Sequence, residues 1–401
     1  MSAINLRKNI IETVFVRGGI LILNFAIVWL VTRLWHAEGN GIRALFVADL
    51  GIISIFCNIF TSSSVSYYIK KVGQSRLATQ AYLWIFIVSG ILALILSLRN
   101  EGSNLSLLLF FVSVLLGFVV FYSSLFVGSQ KIPYYNFITF LQPLLLLLFM
   151  SIIYYAFQDK FSYNAYFYAQ LISLLFIFII ARTITRKILG KCKFELDKHT
   201  IKDSFRFGWK TELSNLLQFL NYRFCMYALS FLIGLKAVGI FALGVAIAEA
   251  IWVFSRSISL VQYSNVLQTG DTVEARKGTK IFSYLSLLAS AICIAIIVVL
   301  PANIYAWIFK GAEFEYVKTV ILLLSPGILA IAVSNVYGHF FSAIGKLNIL
   351  IIKSVAGLFA TIVLSLLLIP KWGITGACMV NSCAYLVSSV ILIVAFIKLK
   401  I

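Results

Sequence analysis

The chain has 401 residues, of which 61% are hydrophobic and only 12% are charged. Soluble domains carry about 25% charged residues, and a chain this apolar could not cover its exterior with polar groups, so the composition excludes a soluble protein. Lys and Arg number 33 against 14 Asp and Glu, a formal charge of +19, which in a membrane protein predicts orientation rather than nucleic-acid binding.

Apolar runs separated by short polar breaks follow one another along the chain. A bilayer-crossing helix needs about 20 mostly apolar residues, whereas outer-membrane strands show about ten residues of alternating character. We therefore predict an all-α integral membrane protein with about twelve transmembrane helices. The first six spans lie at about 10–34, 42–65, 79–98, 105–127, 135–157 and 163–181, and the second six at about 207–232, 239–262, 280–300, 317–342, 348–369 and 375–397.

The basic residues are divided unevenly between the two sides of this arrangement. With the N-terminus inside, 20 basic residues fall on the inner side, eight of them within 182–206. The outer side holds only five, namely Arg99, Lys160, Lys236, Lys310 and Lys371. This bias satisfies the positive-inside rule and predicts that both termini are cytoplasmic.

The longest polar segment, 182–206, lies between two halves of similar length. We predict two six-helix bundles, 1–181 and 207–401, joined by this basic cytoplasmic linker. GIRALFVA at 41–48 and GIFALGVA at 239–246 are identical at six of eight positions, and each opens the second span of its half. The match indicates an internal repeat, the alternative being chance similarity in an apolar chain. Repeats in the same orientation place substrate sites between the halves.

Several ionisable side chains fall inside the predicted spans. A charge near the bilayer centre costs at least about 2.5–3.5 kcal/mol unless it faces protein or water, so we expect these groups to line a cavity or to pair with one another. They are Glu12, Arg17, Asp49, Lys210, Glu212, Arg223, Glu249 and Arg256.

Arg17 and Arg223 are the cations placed deepest. A guanidinium group is always charged and can hold two phosphate oxygens at once, so we predict that both line a cavity and bind an anionic, phosphorylated substrate. The alternatives are a structural ion pair or snorkelling towards the headgroups. Lys210 and Arg256 are further candidates for the same cavity, although they lie nearer the cytoplasmic ends, where snorkelling costs little.

Carboxylates and amides complete the set of candidate site residues. Asp49 and Glu249 each lie well inside the second span of their half, and embedded carboxylates can bind H⁺ or Na⁺, although a helix–helix salt bridge explains them equally well. Asn215, Gln218 and Asn221 share the seventh span with Arg223. We predict that these amides line the same substrate cavity.

Motifs of enzymes and metal sites do not occur in the sequence. There is no G-x-x-x-x-G-K-[ST], H-E-x-x-H or G-x-S-x-G pattern, and none of the six cysteines forms a C-x-x-C pair. The outer segment 301–316 is too short for a catalytic domain, and we interpret its Glu313 and Glu315 as a solvated face. We predict that the protein is not an enzyme and has no catalytic residue, metal site or cofactor.

Four stretches resemble the polysaccharide-exporting branch of the MATE-like exporter superfamily, specifically the O-antigen flippases (Wzx-type). They are the first span with Arg17 and Asn24 followed by TRLWHAEGNGIRAL (32–45), then FGWKTELSNLLQFLNYRFCMYALSF (207–231), VGIFALGVAIAEAIWVF (238–254) and LIPKWGITGACMV (368–380). Two departures stand out. Trp35 and His36 occupy positions where the family usually has a glycine, and Cys225 stands where relatives often carry an aspartate.

The resemblance implies a V-shaped pair of six-helix bundles around a central cavity, to which Asn24 would also contribute. It implies that the substrate is an undecaprenyl-pyrophosphate-linked oligosaccharide, moved across the bacterial inner membrane by alternating access. An H⁺ or Na⁺ gradient would drive the cycle as in an antiporter, and contact with the polysaccharide polymerase machinery is expected. The alternatives are a cation-coupled multidrug exporter of the same superfamily and a membrane O-antigen polymerase or ligase.

Overall fold

The computed structural model describes residues 3–98, 103–156, 162–192, 194–269 and 272–399. The regular elements in these ranges are helical, which confirms the predicted all-α fold. The α-helices are α1 (Ala3–Thr61), α2 (Ser63–Val72), α3 (Gln74–Ser97), α4 (Ser103–Gly128), α5 (Ile132–Ala156), α6 (Asn164–Leu189), α7 (Lys198–Leu232), α8 (Leu235–Thr269), α9 (Thr272–Val299), α10 (Ala302–Phe309), α11 (Tyr316–Ala343) and α12 (Leu347–Ile397).

Nine helical stretches in the described ranges are long and apolar enough to cross a membrane, which makes this a multi-pass membrane protein. Two of them, α1 and α12, are broken by non-helical residues, at Trp35–His36 and at Gly373. With 51 residues at about 1.5 Å each, α12 is long enough to cross a hydrocarbon core of about 30 Å twice. The count of twelve spans and the side on which the termini lie stay predictions.

The chain divides into two compact units that do not follow the sequence order. The first contains Met1–Val31 and Phe46–Leu216, and the second contains Thr32–Leu45 and Leu217–Ile401. Within the first unit α4 packs against α3, α5 and α6, and within the second α11 packs against α8, α9 and α12. Assignment of the 32–45 segment to the second unit was not expected from the sequence. The predicted bundle limits of 1–181 and 207–401 stay predictions.

The predicted linker, 182–206, is mostly helical, because α6 continues to Leu189 and α7 begins at Lys198. Asp197 caps α7, and its carboxylate accepts hydrogen bonds from the hydroxyl and amide groups of Thr200. The hydrogen bond from the Thr200 hydroxyl lowers the pKa of Asp197 below its usual value. Arg76 on α3 holds this cap, with nitrogen–oxygen distances of 3.6 Å to Glu195 and 3.7 Å to Asp197.

The break in α1 lies inside the 32–45 segment of the second unit. His36 has a φ of 55°, in the left-handed region that favours glycine, at one of the two positions where the resemblance pointed to a missing glycine. The next residue, Ala37, donates its amide hydrogen to Glu313 Oε1 at 3.0 Å, and Lys236 Nζ lies 2.6 Å from Glu313 Oε2. The interpretation of Glu313 as part of a solvated face is therefore wrong, because its carboxylate joins two other segments.

Candidate functional site

The second half of α7 presents a polar strip inside the second unit. Residues three and four apart share one face of a helix, which brings Gln218, Asn221 and Tyr222 together. Gln218 Nε2 donates to the hydroxyl oxygen of Tyr222 at 2.9 Å. Asn221 is 5% exposed, and its Oδ1 accepts from the Thr361 hydroxyl of α12 at 2.6 Å.

The most direct charged contact beside this strip joins α7 to α8. Arg223 Nη2 lies 2.8 Å from Glu249 Oε1, and the two side chains are 24% and 34% exposed. A predicted phosphate-binding arginine and a predicted coupling carboxylate thus form one charge-assisted hydrogen bond. This is the ion-pair arrangement that the sequence left open as an alternative. The roles of both residues in binding and coupling stay predictions.

An aromatic cluster lies next to the polar strip. The ring centroids of Tyr222, Trp252 and Tyr385 are 5.6–5.7 Å apart, in tilted or edge-on arrangements of the kind that aromatic pairs prefer. Trp252 is only 2% exposed, yet its indole N–H has no acceptor among the described residues. Buried polar groups normally have a partner, so this N–H is available to a ligand or a water molecule.

A polar cleft between α7, α11 and α12 contains a lysine that the sequence analysis missed. The ammonium group of Lys353 makes no ion pair or hydrogen bond with any residue that the structure describes. The cleft has no carboxylate among its lining side chains, which include Gln218, Asn221, Asn335, Lys353, Tyr385 and Ser388. Lys353 lies within the eleventh predicted span, so the argument that singled out the other in-span charges applied to it equally.

The remaining candidates are exposed or lie in the first unit. Arg256 is exposed on α8 and interacts electrostatically with Tyr222. The side chains of Arg17, Asn24, Lys210 and Asn215 are also exposed, and all four belong to the first unit. Their part in a shared substrate site stays a prediction.

Two acidic residues of the first unit are buried, the coupling candidate Asp49 and the in-span Glu212. Asn215 and Glu212 lie one turn apart on α7, and Asn215 Nδ2 donates a hydrogen bond to Glu212 Oε2 at 3.0 Å. One oxygen of this carboxylate therefore has a partner. Asp49 is 2% exposed in the second half of α1, and its role in cation coupling stays a prediction. In the described part of the chain no group of three or more His, Cys, Asp and Glu could hold a metal ion.

The helices adopt the fold of the MATE transporters. A solved inward-facing multidrug resistance MATE family transporter of the MOP superfamily superimposes with a TM-score of 0.70 at 14% identity, covering 94% of this chain and 93% of that one. The inward closed conformation of the lipid II flippase MurJ gives 0.66 at 13% identity, covering 98% and 88%. At these identities the likeness concerns the fold alone.

Sequence comparison identifies the family. The chain belongs to the polysaccharide biosynthesis protein family, whose model matches residues 6–263. It is also 22% identical over 349 residues to the "Putative O-antigen transporter" of Escherichia coli (strain K12), covering 84% of this chain and 83% of that protein. The resemblance predicted from the sequence is thereby confirmed.

Proposed function

We propose that this protein is a flippase that moves an undecaprenyl-pyrophosphate-linked oligosaccharide, such as an O-antigen repeat unit, across the bacterial inner membrane. The observation that carries the proposal is the charged and polar site between α7, α8, α11 and α12, because α8, α11 and α12 are apolar enough to cross a membrane. Charged groups in such helices are tolerated mainly where they serve a pathway or a partner. The family and the O-antigen transporter relative favour a lipid-linked glycan as the cargo.

Each part of this cargo has a matching chemistry in the chain. A pyrophosphate requires cations, which Arg17, Arg223 and Lys353 can supply. A glycan presents hydroxyl groups and apolar sugar faces, which suit the amides of α7 and the aromatic cluster of Tyr222, Trp252 and Tyr385. The isoprenoid tail needs no polar site, since it can stay in the bilayer while the headgroup moves.

The contact between Arg223 and Glu249 supplies a route to cation coupling. While Glu249 is ionised and bound to Arg223, the positive charge of the arginine is largely neutralised for any anion. Uptake of H⁺ or Na⁺ by Glu249 would weaken the pair and leave Arg223 free for a phosphate. Asp49 is a second coupling candidate in the first unit. We therefore propose an antiport cycle in which cation binding and substrate binding alternate at this pair.

A multidrug exporter is the second candidate, because solved structures of MATE transporters share the fold. An organic cation would favour Glu249 and the aromatic cluster. The unneutralised ammonium group of Lys353 and the exposed guanidinium group of Arg256 would repel such a cation in the same unit. We propose that the protein is a transporter and not an enzyme, because a flippase binds and releases its cargo without changing it chemically.

The test is transport of a fluorescently labelled undecaprenyl-pyrophosphate oligosaccharide in proteoliposomes. Arg223→Gln is expected to lower the initial rate at least tenfold at equal reconstitution, because a neutral amide cannot hold the pyrophosphate. Arg186→Gln, which removes an exposed arginine at the end of α6, is the matched control and should transport normally. Normal rates in both variants would exclude Arg223 as the binding group.

A further inference from the structure

A polar cleft lies between the end of α8 and the beginning of α9, both of which belong to the second unit. It shares no lining residue with the cleft around Lys353, so the candidate transport site does not account for it. Its volume is about 230 Å³, many times the space that one water molecule needs. The polar side chains in its wall include Gln262, Asn265, Glu274 and Lys277.

Gln262 of α8 brings an unpaired acceptor to this wall. The residue is only 1% exposed, and its Nε2 donates to Thr279 Oγ1 at 2.8 Å. The Thr279 hydroxyl group donates its single hydrogen to the carbonyl oxygen of Ala275 at 2.7 Å, so it can only accept from Gln262, and this fixes the orientation of the amide. Gln262 Oε1 is left without a donor among the described residues. Buried acceptors normally have a donor, so we expect the occupant of the cleft to supply an N–H or O–H group.

Two opposite charges line the same cleft. Glu274 and Lys277 are exposed and lie three residues apart in the first turns of α9, which places them on one face of the helix. Arg276 lies between them in the sequence but is engaged elsewhere, since its guanidinium group donates to the carbonyl oxygens of Phe396 at 2.8 Å and Leu399 at 3.1 Å. The described wall of the cleft therefore carries one carboxylate and one ammonium group, a combination that suits a zwitterion and disfavours a polyanion.

An exposed apolar strip leads from the cleft along α9. Ile281 lines the cleft and is 61% exposed. Exposed apolar residues follow it at spacings of three and four, which keeps them on one face of the helix, namely Leu285, Leu288, Ile292 and Ile296. The stretch Val273–Val299 is apolar enough to cross a membrane, and Lys277 and Lys280 lie on the inner side predicted from the positive-inside rule. A lipid headgroup in the cleft would thus have its hydrocarbon chains along this strip.

We propose that the cleft binds the headgroup of an inner-leaflet phospholipid that carries a phosphate and a primary ammonium group, as phosphatidylethanolamine does. The ammonium group donates to Gln262 Oε1 and pairs with Glu274, while the phosphate pairs with Lys277. The acyl chains follow the strip that begins at Ile281. A pyrophosphate-linked cargo does not fit this site, because its greater negative charge would meet the carboxylate of Glu274 with one lysine to balance it.

Native mass spectrometry of the full-length protein, purified in detergent, tests the headgroup. Phosphatidylethanolamine and phosphatidylcholine with the same acyl chains are added at equal concentration. A choline headgroup is also zwitterionic but has no N–H to donate, so the ethanolamine lipid should bind about three- to tenfold more tightly, as expected for one hydrogen bond. Gln262→Met, which removes the acceptor, should largely remove this preference. Tighter binding of phosphatidylglycerol than of phosphatidylethanolamine would overturn the proposal, because it would indicate an anion site.

A second variant keeps the test decisive if Gln262→Met does not fold. Glu274→Gln changes an exposed position, and it should lower the affinity for phosphatidylethanolamine severalfold because the ammonium group loses its counter-charge. Glu315→Gln, at an exposed position outside the cleft, is the matched control and should bind the lipid like the wild type.

Two further results would contradict the proposal. Soluble glycerophosphoethanolamine lacks acyl chains and should bind much more weakly than the lipid, so equal binding would exclude a lipid as the occupant. An unchanged preference for the ethanolamine lipid in folded Gln262→Met and in Glu274→Gln would overturn the site itself. The readout needs no cargo, so failure of the proposed transport function would leave this result intact.

Discussion

Arg223 Nη2 and Glu249 Oε1 are 2.8 Å apart, and this single contact joins the two residues for which the sequence predicted opposite roles. One was expected to bind an anion and the other to bind a cation. In contact, each largely neutralises the charge of the other, so an anion or a cation has to compete with the pair. The pair therefore works as a switch only if something competes for one of its members.

Glu249→Gln should destabilise the protein, because it leaves the partly buried guanidinium group of Arg223 without a counter-charge. Removal of one partner from a fully buried pair costs about 3–5 kcal/mol, and exposed pairs contribute about 0–1 kcal/mol, so we expect a loss of about 1–2 kcal/mol for this intermediate case. The double variant Arg223→Gln, Glu249→Gln should recover part of that loss. Thermal unfolding in detergent measures both, and equal losses in the single and double variants would contradict the coupling.

Lys353→Met should raise the thermal stability and lower the transport rate. Methionine has a similar length and removes an ammonium group that has no partner among the described residues. A charge removed from water without a counter-charge is destabilising unless a ligand compensates it. Lys202→Met, at an exposed position of α7, should change neither quantity. A less stable but fully active Lys353→Met protein would assign the lysine a structural role.

His36→Gly should stabilise the break in α1. His36 has a φ of 55° and a ψ of −161°, a combination that essentially only glycine adopts and that costs other residues about 1–3 kcal/mol, although glycine gives back some of this through its freer unfolded chain. We expect a net gain of about 0.5–1 kcal/mol in unfolding free energy. Glu38→Gly, two residues later in helical backbone, should lower stability instead. The two melting temperatures, measured side by side, separate the backbone effect from the general effect of glycine.

Asp197→Asn should expose the start of α7 to hydrogen exchange, and the effect should depend on pH. The hydrogen bond from Thr200 lowers the pKa of Asp197, so the stabilisation by its carboxylate is complete above the unfolded pKa of about 3.9. It is lost as the pH falls through the lower folded value. Wild-type and variant proteins should therefore differ in amide exchange of residues 198–202 at pH 7, and the difference should shrink as the pH falls below about 3.9. Asp203→Asn, whose carboxylate does not cap the helix, is the control.

The fold was largely predictable from the sequence, because length and polarity alone determine which segments can cross a bilayer. The predicted limits of the third to sixth spans lie close to α3–α6. The helical parts of 182–206, at the end of α6 and the start of α7, were not predictable in this way, since their charged residues resemble a linker in composition. The assignment of 32–45 to the second unit depends on contacts between residues about 200 positions apart, which one sequence does not reveal.

The candidate site was predictable in its residue types but not in its pairings. Charges inside apolar runs pointed to Arg223 and Glu249. The contact between the two side chains is seen only in the structure. Lys353 was overlooked although the same rule applied to it. Glu313 was wrongly assigned to a solvated face, because a glutamate in a short outer segment is normally exposed. Its partners, the amide of Ala37 and the ammonium group of Lys236, come from two other segments of the chain.

The most direct test of the central claim is a comparison of two cargoes in the same proteoliposomes. Purified protein is reconstituted under an imposed H⁺ or Na⁺ gradient, and the flux of a labelled undecaprenyl-pyrophosphate oligosaccharide is measured beside that of a fluorescent organic cation. We expect gradient-dependent movement of the lipid-linked oligosaccharide and none of the organic cation, and Arg223→Gln should lower the former at least tenfold. Movement of the organic cation alone would contradict this expectation and identify a multidrug exporter.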